Sequence, residues 1–180
     1  MKKTIITALS LILISSFTYA QKSVMVGGAA MYPSKNIIEN AVNSADHTTV
    51  VAVVKAAGLV ETLQSAGPFT VFAPTNDAFG KLPEGTVGSL LEPANKSTLT
   101  SILTYHVIPQ RLSSAAIAKA IKSGNGKAEF KTVQGATLWA TMDGKDVVLK
   151  DDKGNTSKIT IMDVNQSNGV IHVIDTVVIP

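Results

Sequence analysis

The spacing of hydrophobic residues changes character after Gly124. Before that point, apolar residues recur three and four positions apart, which is the period of an amphipathic helix. Beyond it, apolar and polar residues alternate, which is typical of half-buried strands. We therefore predict an α+β domain, with helices mostly in the N-terminal half and a β-meander in the C-terminal half.

The best-defined helical pattern lies just before Gly58, where Val50, Val53, Val54 and Ala57 share one face. Valines also suit a strand. Asp46 or Thr48 as an N-cap, and Gly58 as a stop, favour a helix instead. Similar spacing predicts three more helices, whose apolar residues are Ile37, Ile38, Ala41 and Val42; Leu99, Ile102 and Leu103; and Ile117, Ala120 and Ile121. Ser113 or Ser114 is the expected N-cap of the last helix.

The second half contains a series of alternating segments separated by turn residues. Asp143-Gly144 is a strong hairpin signal between two of them. The final segment is apolar on both faces except at His172, Asp175 and Thr176, which predicts a central strand. The expected strands are residues 129–133, 137–142, 146–150, 158–164 and 170–179.

The stretch 67–80, G-P-F-T-V-F-A-P-T-N-D-A-F-G, lies within the helical half and is expected to contribute a strand to the later sheet. Its β-branched and aromatic run at 69–73 predicts a short strand buried on both faces. Pro74 is expected to end that strand. Thr75 can then N-cap a helix, and Asp77 in the first turn suits the positive end of the helix dipole.

Three motifs in this chain resemble those of one known family. T-V-F-A-P-T-N-D-A-F, at 70–79, is similar to the first signature box of the fasciclin domain family. G-V-I-H-V-I-D-T-V-V-I-P, at 169–180, resembles its second box, and Tyr105-His106-Val107 resembles its Tyr-His element. The resemblance covers residues 35–180 and implies a compact β-sandwich-like wedge decorated with helices.

The first twenty residues have the composition of a signal peptide. Lys2 and Lys3 precede an apolar run at 5–17, and cleavage after Ala20 would leave Gln21 as the first mature residue. The apolar run is shorter than the ~20 residues that span a bilayer, so we expect export without a membrane anchor. The chain is accordingly divided into a signal peptide (1–20), an N-terminal arm or linker (21–34) and a fasciclin-like domain (35–180).

Composition limits the possible partners. Lys2 and Lys3 are two of the 16 basic side chains, so the mature chain is nearly neutral against its 13 acidic ones. With a single arginine and no basic run, nucleic acid is a poor candidate partner. The chain has no cysteine, which excludes a thiol nucleophile and disulfides.

The sequence offers no recognisable catalytic or cofactor motif. His47, His106 and His172 share no metal-ligand spacing, and the turn with Asp151, Asp152 and Asn155 lacks an EF-hand pattern, so we expect neither a metal nor a cofactor. Integrin recognition is not supported either. Asn95-Lys96 is followed by Ser97-Thr98 instead of the Asp-Ile pair of adhesive animal members, and no Arg-Gly-Asp occurs.

Three residues are candidates for partner contact. The resemblance implies adhesion through Tyr105-His106. The apolar stripe from Leu99 to Leu103 instead favours His106 as a core residue, with Tyr105 turned about 100° away as the contact. Trp139 would stand on the outer face of its strand and could stack on a sugar or a protein partner, unless a helix or the N-terminal arm covers it.

These observations predict an exported, non-enzymatic binding or adhesion module that contacts a protein or polysaccharide at the cell envelope or surface. The alternative is a periplasmic carrier of a small apolar ligand held between sheet and helices. A connected apolar pocket of a few hundred Å³ would favour the carrier.

Overall fold

A computed structural model describes residues 22–180. The expected cleavage site after Ala20 lies outside this range. The described chain forms seven helices and nine strands: β1 (Val24–Val26), β2 (Ala29–Met31), α1 (Ile37–Ala41), α2 (Thr48–Ala57), α3 (Val60–Gln64), β3 (Phe69–Pro74), α4 (Asn76–Gly80), α5 (Thr86–Leu90), α6 (Lys96–Tyr105), β4 (Val107–Ile108), α7 (Ser114–Ser123), β5 (Lys127–Lys131), β6 (Thr137–Asp143), β7 (Asp146–Lys150), β8 (Thr156–Gln166) and β9 (Gly169–Ile174). The predicted α+β class is confirmed.

Seven strands form one sheet in the order β4-β3-β9-β8-β7-β6-β5. β3 and β9 lie side by side and parallel, with Phe69 opposite Gly169 and Pro74 opposite Ile174. The strands of the two signature boxes are thus neighbours in the interior of the sheet. The β5–β6 end curls back toward β4, where the N–H of Val133 donates to the carbonyl of Val107 at 2.8 Å.

Apolar side chains cover both faces of this central pair. Along β3, Val71 and Ala73 join a core cluster beneath α1, α2 and α6, while Phe72 joins a second cluster beneath α7. The second cluster also contains the inward residues of the meander, Leu138, Ala140 and Leu149. Alternation along one strand therefore supplies two cores, as expected for a strand buried on both sides.

Several predicted helix ends are confirmed by their capping residues. The hydroxyl of Thr75 accepts from the N–H of Ala78 at 3.2 Å, and Ser113 does the same for Ala116. Gly58 ends α2 in the left-handed region, with φ +75°. Neither Asp46 nor Thr48 caps α2, because a 3₁₀ turn, Ala45–His47, leads directly into it.

Several strand ends differ from the sequence prediction. β5 spans Lys127–Lys131 instead of residues 129–133, and β8 spans Thr156–Gln166 instead of residues 158–164. β3 continues one residue further, through Pro74, and β9 stops at Ile174 instead of residue 179. Beyond β9 the chain is held by contacts outside the ladder, since the N–H groups of Val178 and Ile179 donate to side chains of His106 and Asp151.

The segment predicted as an arm forms the hairpin β1–β2 around Gly27-Gly28. Both glycines have positive φ, as a tight hairpin turn requires. Val26 and Met31 are buried in the first core cluster, and the carbonyl of Gly27 accepts from the N–H of Ala45 at 3.0 Å. The hairpin is therefore packed against the rest of the described chain.

Among residues 22–180, no helix has both the length and the apolar character needed to cross a bilayer.

Candidate functional site

Tyr105 is the last residue of α6 and is fully buried. Its hydroxyl donates to the carbonyl of Thr137 at 2.8 Å, and its ring packs in the second core cluster with Phe72. Burial raises the pKa of Tyr105 to about 12, with a smaller contribution from the charge of Asp152. The expectation that Tyr105 faces solvent is wrong, because β6 and its neighbours cover the side of α6 opposite its apolar stripe.

His106 follows immediately and is 4% exposed. Its Nδ1–H donates to the carbonyl of Ile102 at 2.8 Å, and Nε2 accepts from the N–H of Val178 at 3.3 Å. These two contacts assign the neutral tautomer with the proton on Nδ1. Burial lowers the pKa of His106 to about 4, so the ring is neutral at pH 7. The core position predicted from the apolar stripe of α6 is confirmed.

His172, in the second signature box, is also buried and stacks on Phe72 with ring centroids 5.8 Å apart. Nδ1 accepts from the N–H of Asp163, and Nε2–H donates to the carbonyl of Leu112 at 2.8 Å. Burial lowers the pKa of His172 as well. Both ring nitrogens are occupied by backbone groups, so this imidazole has no nitrogen left to act as a base.

Ser114 and Asp163 lie beside His172 and bring the residue types of a hydrolase triad close together. The hydroxyl of Ser114, however, donates to Asp163 Oδ2, and its N–H donates to Oδ1 at 2.7 Å. A triad needs the serine hydroxyl on a histidine nitrogen, and that contact is not made here. The arrangement instead fixes the start of α7 to the bulge in β8.

Asp151 belongs to the turn considered for calcium, and it is buried at 1% exposure. Oδ1 accepts from the N–H groups of Lys153 and Asn155, and Oδ2 accepts from the Asn155 amide and the N–H of Ile179. Four donors therefore satisfy the carboxylate. Within residues 22–180, no group of three or more acidic or histidine side chains is placed to hold a metal ion.

Trp139 stands on the outer face of β6, as the burial of Leu138 and Ala140 on either side requires. It is half-buried. The ammonium of Lys127, from β5, lies 4.6 Å from the centroid of the indole ring. Met142, which follows Leu138 and Ala140 in the alternation along β6, is 42% exposed near the end of the strand.

Two apolar cavities lie between the helices and the sheet. Their volumes are about 60 Å³ and 40 Å³, and both are lined by Val50, Val54, Leu63 and Val71. Sites for small-molecule ligands usually have about 300–1,000 Å³. Each of these cavities, as formed, is too small for such a ligand.

The chain belongs to the fasciclin domain family, whose pattern matches residues 45–180. Protein sll1483 of Synechocystis is 46% identical over 162 residues, which cover 89% of this chain and 82% of that protein. Immunogenic protein MPB70 of Mycobacterium bovis is 36% identical over 77% of this chain and 65% of its own. Human periostin is 34% identical over 68% of this chain, and the match spans 13% of periostin.

A solved structure shares the fold. It contains a pair of FAS1 domains from the insect cell adhesion molecule fasciclin I, with a TM-score of 0.71 and 16% identity. The superposition covers 81% of this chain and 51% of that one. At this identity the likeness establishes the fold, a mixed architecture with helices mostly in the N-terminal half.

Proposed function

We propose that this fasciclin domain is an exported, non-enzymatic binding module that contacts a protein or polysaccharide partner at the cell envelope or surface. The proposal rests on membership of the fasciclin domain family and on the fact that the buried polar side chains described above already have hydrogen-bond partners within the fold. His106, His172 and Asp151 are buried, and all their contacts described above serve the fold. The function we propose is therefore recognition of a partner by the outer surface of the domain.

The sizes of the cavities support the binding module over the carrier. Two separate cavities of about 60 Å³ and 40 Å³ are well below the usual volume of a ligand site. A carrier would require α2 and α3 to move away from β3. Native mass spectrometry of the exported protein tests this directly, because a co-purifying apolar molecule would favour the carrier.

The leader sequence supports the exported setting. We expect N-terminal sequencing of material recovered outside the cytoplasm to begin at Gln21. Material that still begins with Met1 or Lys2 would contradict cleavage by a signal peptidase.

The binding function is tested by retention on envelopes of the producing organism. Labelled protein spanning residues 21–180 should be retained, and an excess of unlabelled protein should displace it. Linear retention that never saturates would argue against a specific partner. Protease treatment of the envelopes distinguishes a protein partner from a polysaccharide.

A further inference from the structure

Trp139 forms part of an open groove on the outer face of the meander. The groove has a volume of about 470 Å³ and is lined by β5, β6, β7 and the turn after β7. The other side chains that line it are Lys127, Thr141, Lys150, Asp151, Asp152 and Lys153. It lies on the face of the sheet opposite α7, since α7 packs on the inward residues of β5 and β6.

The accessible charge in this groove is mainly positive. Lys127 is paired with Glu129 at 3.7 Å, in contact with solvent. Lys150 and Lys153 are exposed, and neither makes an ion pair within the described residues. Asp151 is buried with four donors on its carboxylate, which leaves Asp152 as the exposed acidic group of the lining. Two ammonium groups that make no ion pair within the described residues therefore line the same groove as the indole.

The indole also has an unused hydrogen-bond donor. Nε1 of Trp139 is buried and has no partner among the described residues. The ammonium of Lys127 covers the ring through a long, flexible and exposed side chain, so it can be displaced. Displacement would uncover the flat apolar face of the indole ring.

We propose that this groove binds a segment of an acidic polysaccharide, with a sugar ring stacked on Trp139 and its carboxylates on Lys150 and Lys153. The proposal rests on the binding function proposed above and names the partner class. A sugar ring presents an apolar C–H face to the indole and oxygen acceptors around its rim. A uronic acid adds the carboxylate that the two lysines complement.

The geometry favours a sugar over an acidic peptide. The apolar surface within the groove is confined to one aromatic residue, whereas peptide recognition uses alternate side-chain pockets or a free sheet edge. β6 and β7 are interior strands whose edges are already paired, and β5, which ends the sheet order, contributes only Lys127 to the groove. A neutral polysaccharide could stack on the indole but would place no negative charge near the lysines, so an acidic polysaccharide fits the groove better.

Calorimetric titration with polygalacturonate oligomers tests the proposal, with dextran as the neutral probe and polyglutamate as the acidic peptide. We expect saturable binding of polygalacturonate that weakens with added salt. Lys150→Gln combined with Lys153→Gln should weaken it by roughly fivefold to tenfold. The matched control is Lys119→Gln combined with Lys122→Gln, which removes the same charge from exposed positions of α7 on the other side of the sheet. That control should bind as wild type does.

Two Trp139 variants test the stacking. Trp139→Phe keeps an aromatic face without the N–H and should retain part of the affinity, whereas Trp139→Ala should lose at least roughly tenfold. If Trp139→Ala does not fold, the variant with Lys150→Gln and Lys153→Gln still tests the proposal, because it changes only exposed side chains. Equal loss in the α7 control, or equally tight binding of polyglutamate or dextran, would overturn the proposal. If envelopes retain the protein but polygalacturonate does not bind, this inference fails while the proposed binding function stands.

Discussion

Nε2 of His106 accepts a hydrogen bond from the backbone N–H of Val178, 3.3 Å away, and so joins the end of α6 to the segment that follows β9. The contact requires a neutral ring, because a protonated Nε2 would place one N–H against another. His106→Ala should therefore leave a cavity and an unpaired N–H, at a cost of about 2 kcal/mol or more. Chemical denaturation at pH 7 measures this, and a midpoint equal to that of wild type would contradict the structural role.

The same contact predicts a pH dependence of stability. The pKa of His106 is lowered from 6.5 to about 4 in the folded protein, so below pH 6.5 the unfolded chain binds a proton that the folded one does not. Stability should be constant above about pH 7 and fall as the pH drops toward 4, with His106 contributing about 3 kcal/mol. Burial also lowers the pKa of His47 and His172, which act in the same direction. Unfolding midpoints between pH 4 and 8 should show a shallower slope for His106→Ala than for wild type; equal slopes would refute the assignment.

Tyr105 should affect stability and not binding directly. Tyr105→Phe removes the donor to the carbonyl of Thr137 and should cost about 1 kcal/mol, whereas Tyr105→Ala should cost about 3–5 kcal/mol. Tyr32→Phe is the matched control, since Tyr32 is 47% exposed and should change the unfolding free energy by less than about 0.5 kcal/mol. Thermal melts measure both. A Tyr105→Ala protein that melts as wild type does but no longer binds envelopes would restore the tyrosine as a contact.

Asp151 and Asp152 are neighbours, but we expect only Asp151 to contribute substantially to the free energy of unfolding. Asp151→Ala removes the acceptor of four N–H groups from a buried position and should cost about 3 kcal/mol or more. Asp152→Ala, at an exposed position, should stay within about 0.5 kcal/mol of wild type. Urea denaturation of the two variants under one set of conditions makes the comparison. Equal midpoints would show that the carboxylate of Asp151 does not hold the turn.

Phe72 tests the centre of the fold. Phe72, on β3, is fully buried in the cluster beneath α7, and its ring stacks on His172. Phe72→Ala should therefore lower the free energy of unfolding by about 3–5 kcal/mol. Val133→Ala serves as the control because Val133 is 44% exposed. If guanidinium denaturation places both variants at the wild-type midpoint, the central strand does not carry the core.

The helical spacing correctly predicted that one face of α6 is buried, but it wrongly predicted that the face with Tyr105 is exposed. Leu99 and Leu103 define the stripe that enters the first core cluster. Tyr105 points elsewhere, as predicted, but that direction leads into the second cluster instead of solvent. Hydrophobic periodicity shows which residues share a face. It does not show that a second layer, formed by strands far along the chain, covers the opposite face.

Long-range contacts explain the other differences. The sequence located the turn around Asp152 and Asn155, yet the burial of Asp151 depends on Ile179, which only the folded chain brings near. The hairpin at Gly27-Gly28 is a different case. Its strands have three residues each, too few for alternation to stand out, although two glycines between apolar residues are a recognised hairpin signal.

The parallel pairing of β3 with β9 has a consequence for the order of events during synthesis. β9 is the last strand of the fasciclin domain, yet it lies between β3 and β8. A ribosome must therefore release nearly the whole domain before the middle of the sheet can form, and the helices made earlier have no completed surface to pack on. Until then the nascent chain cannot complete its sheet, which is the unfolded state that the export proposed above would require.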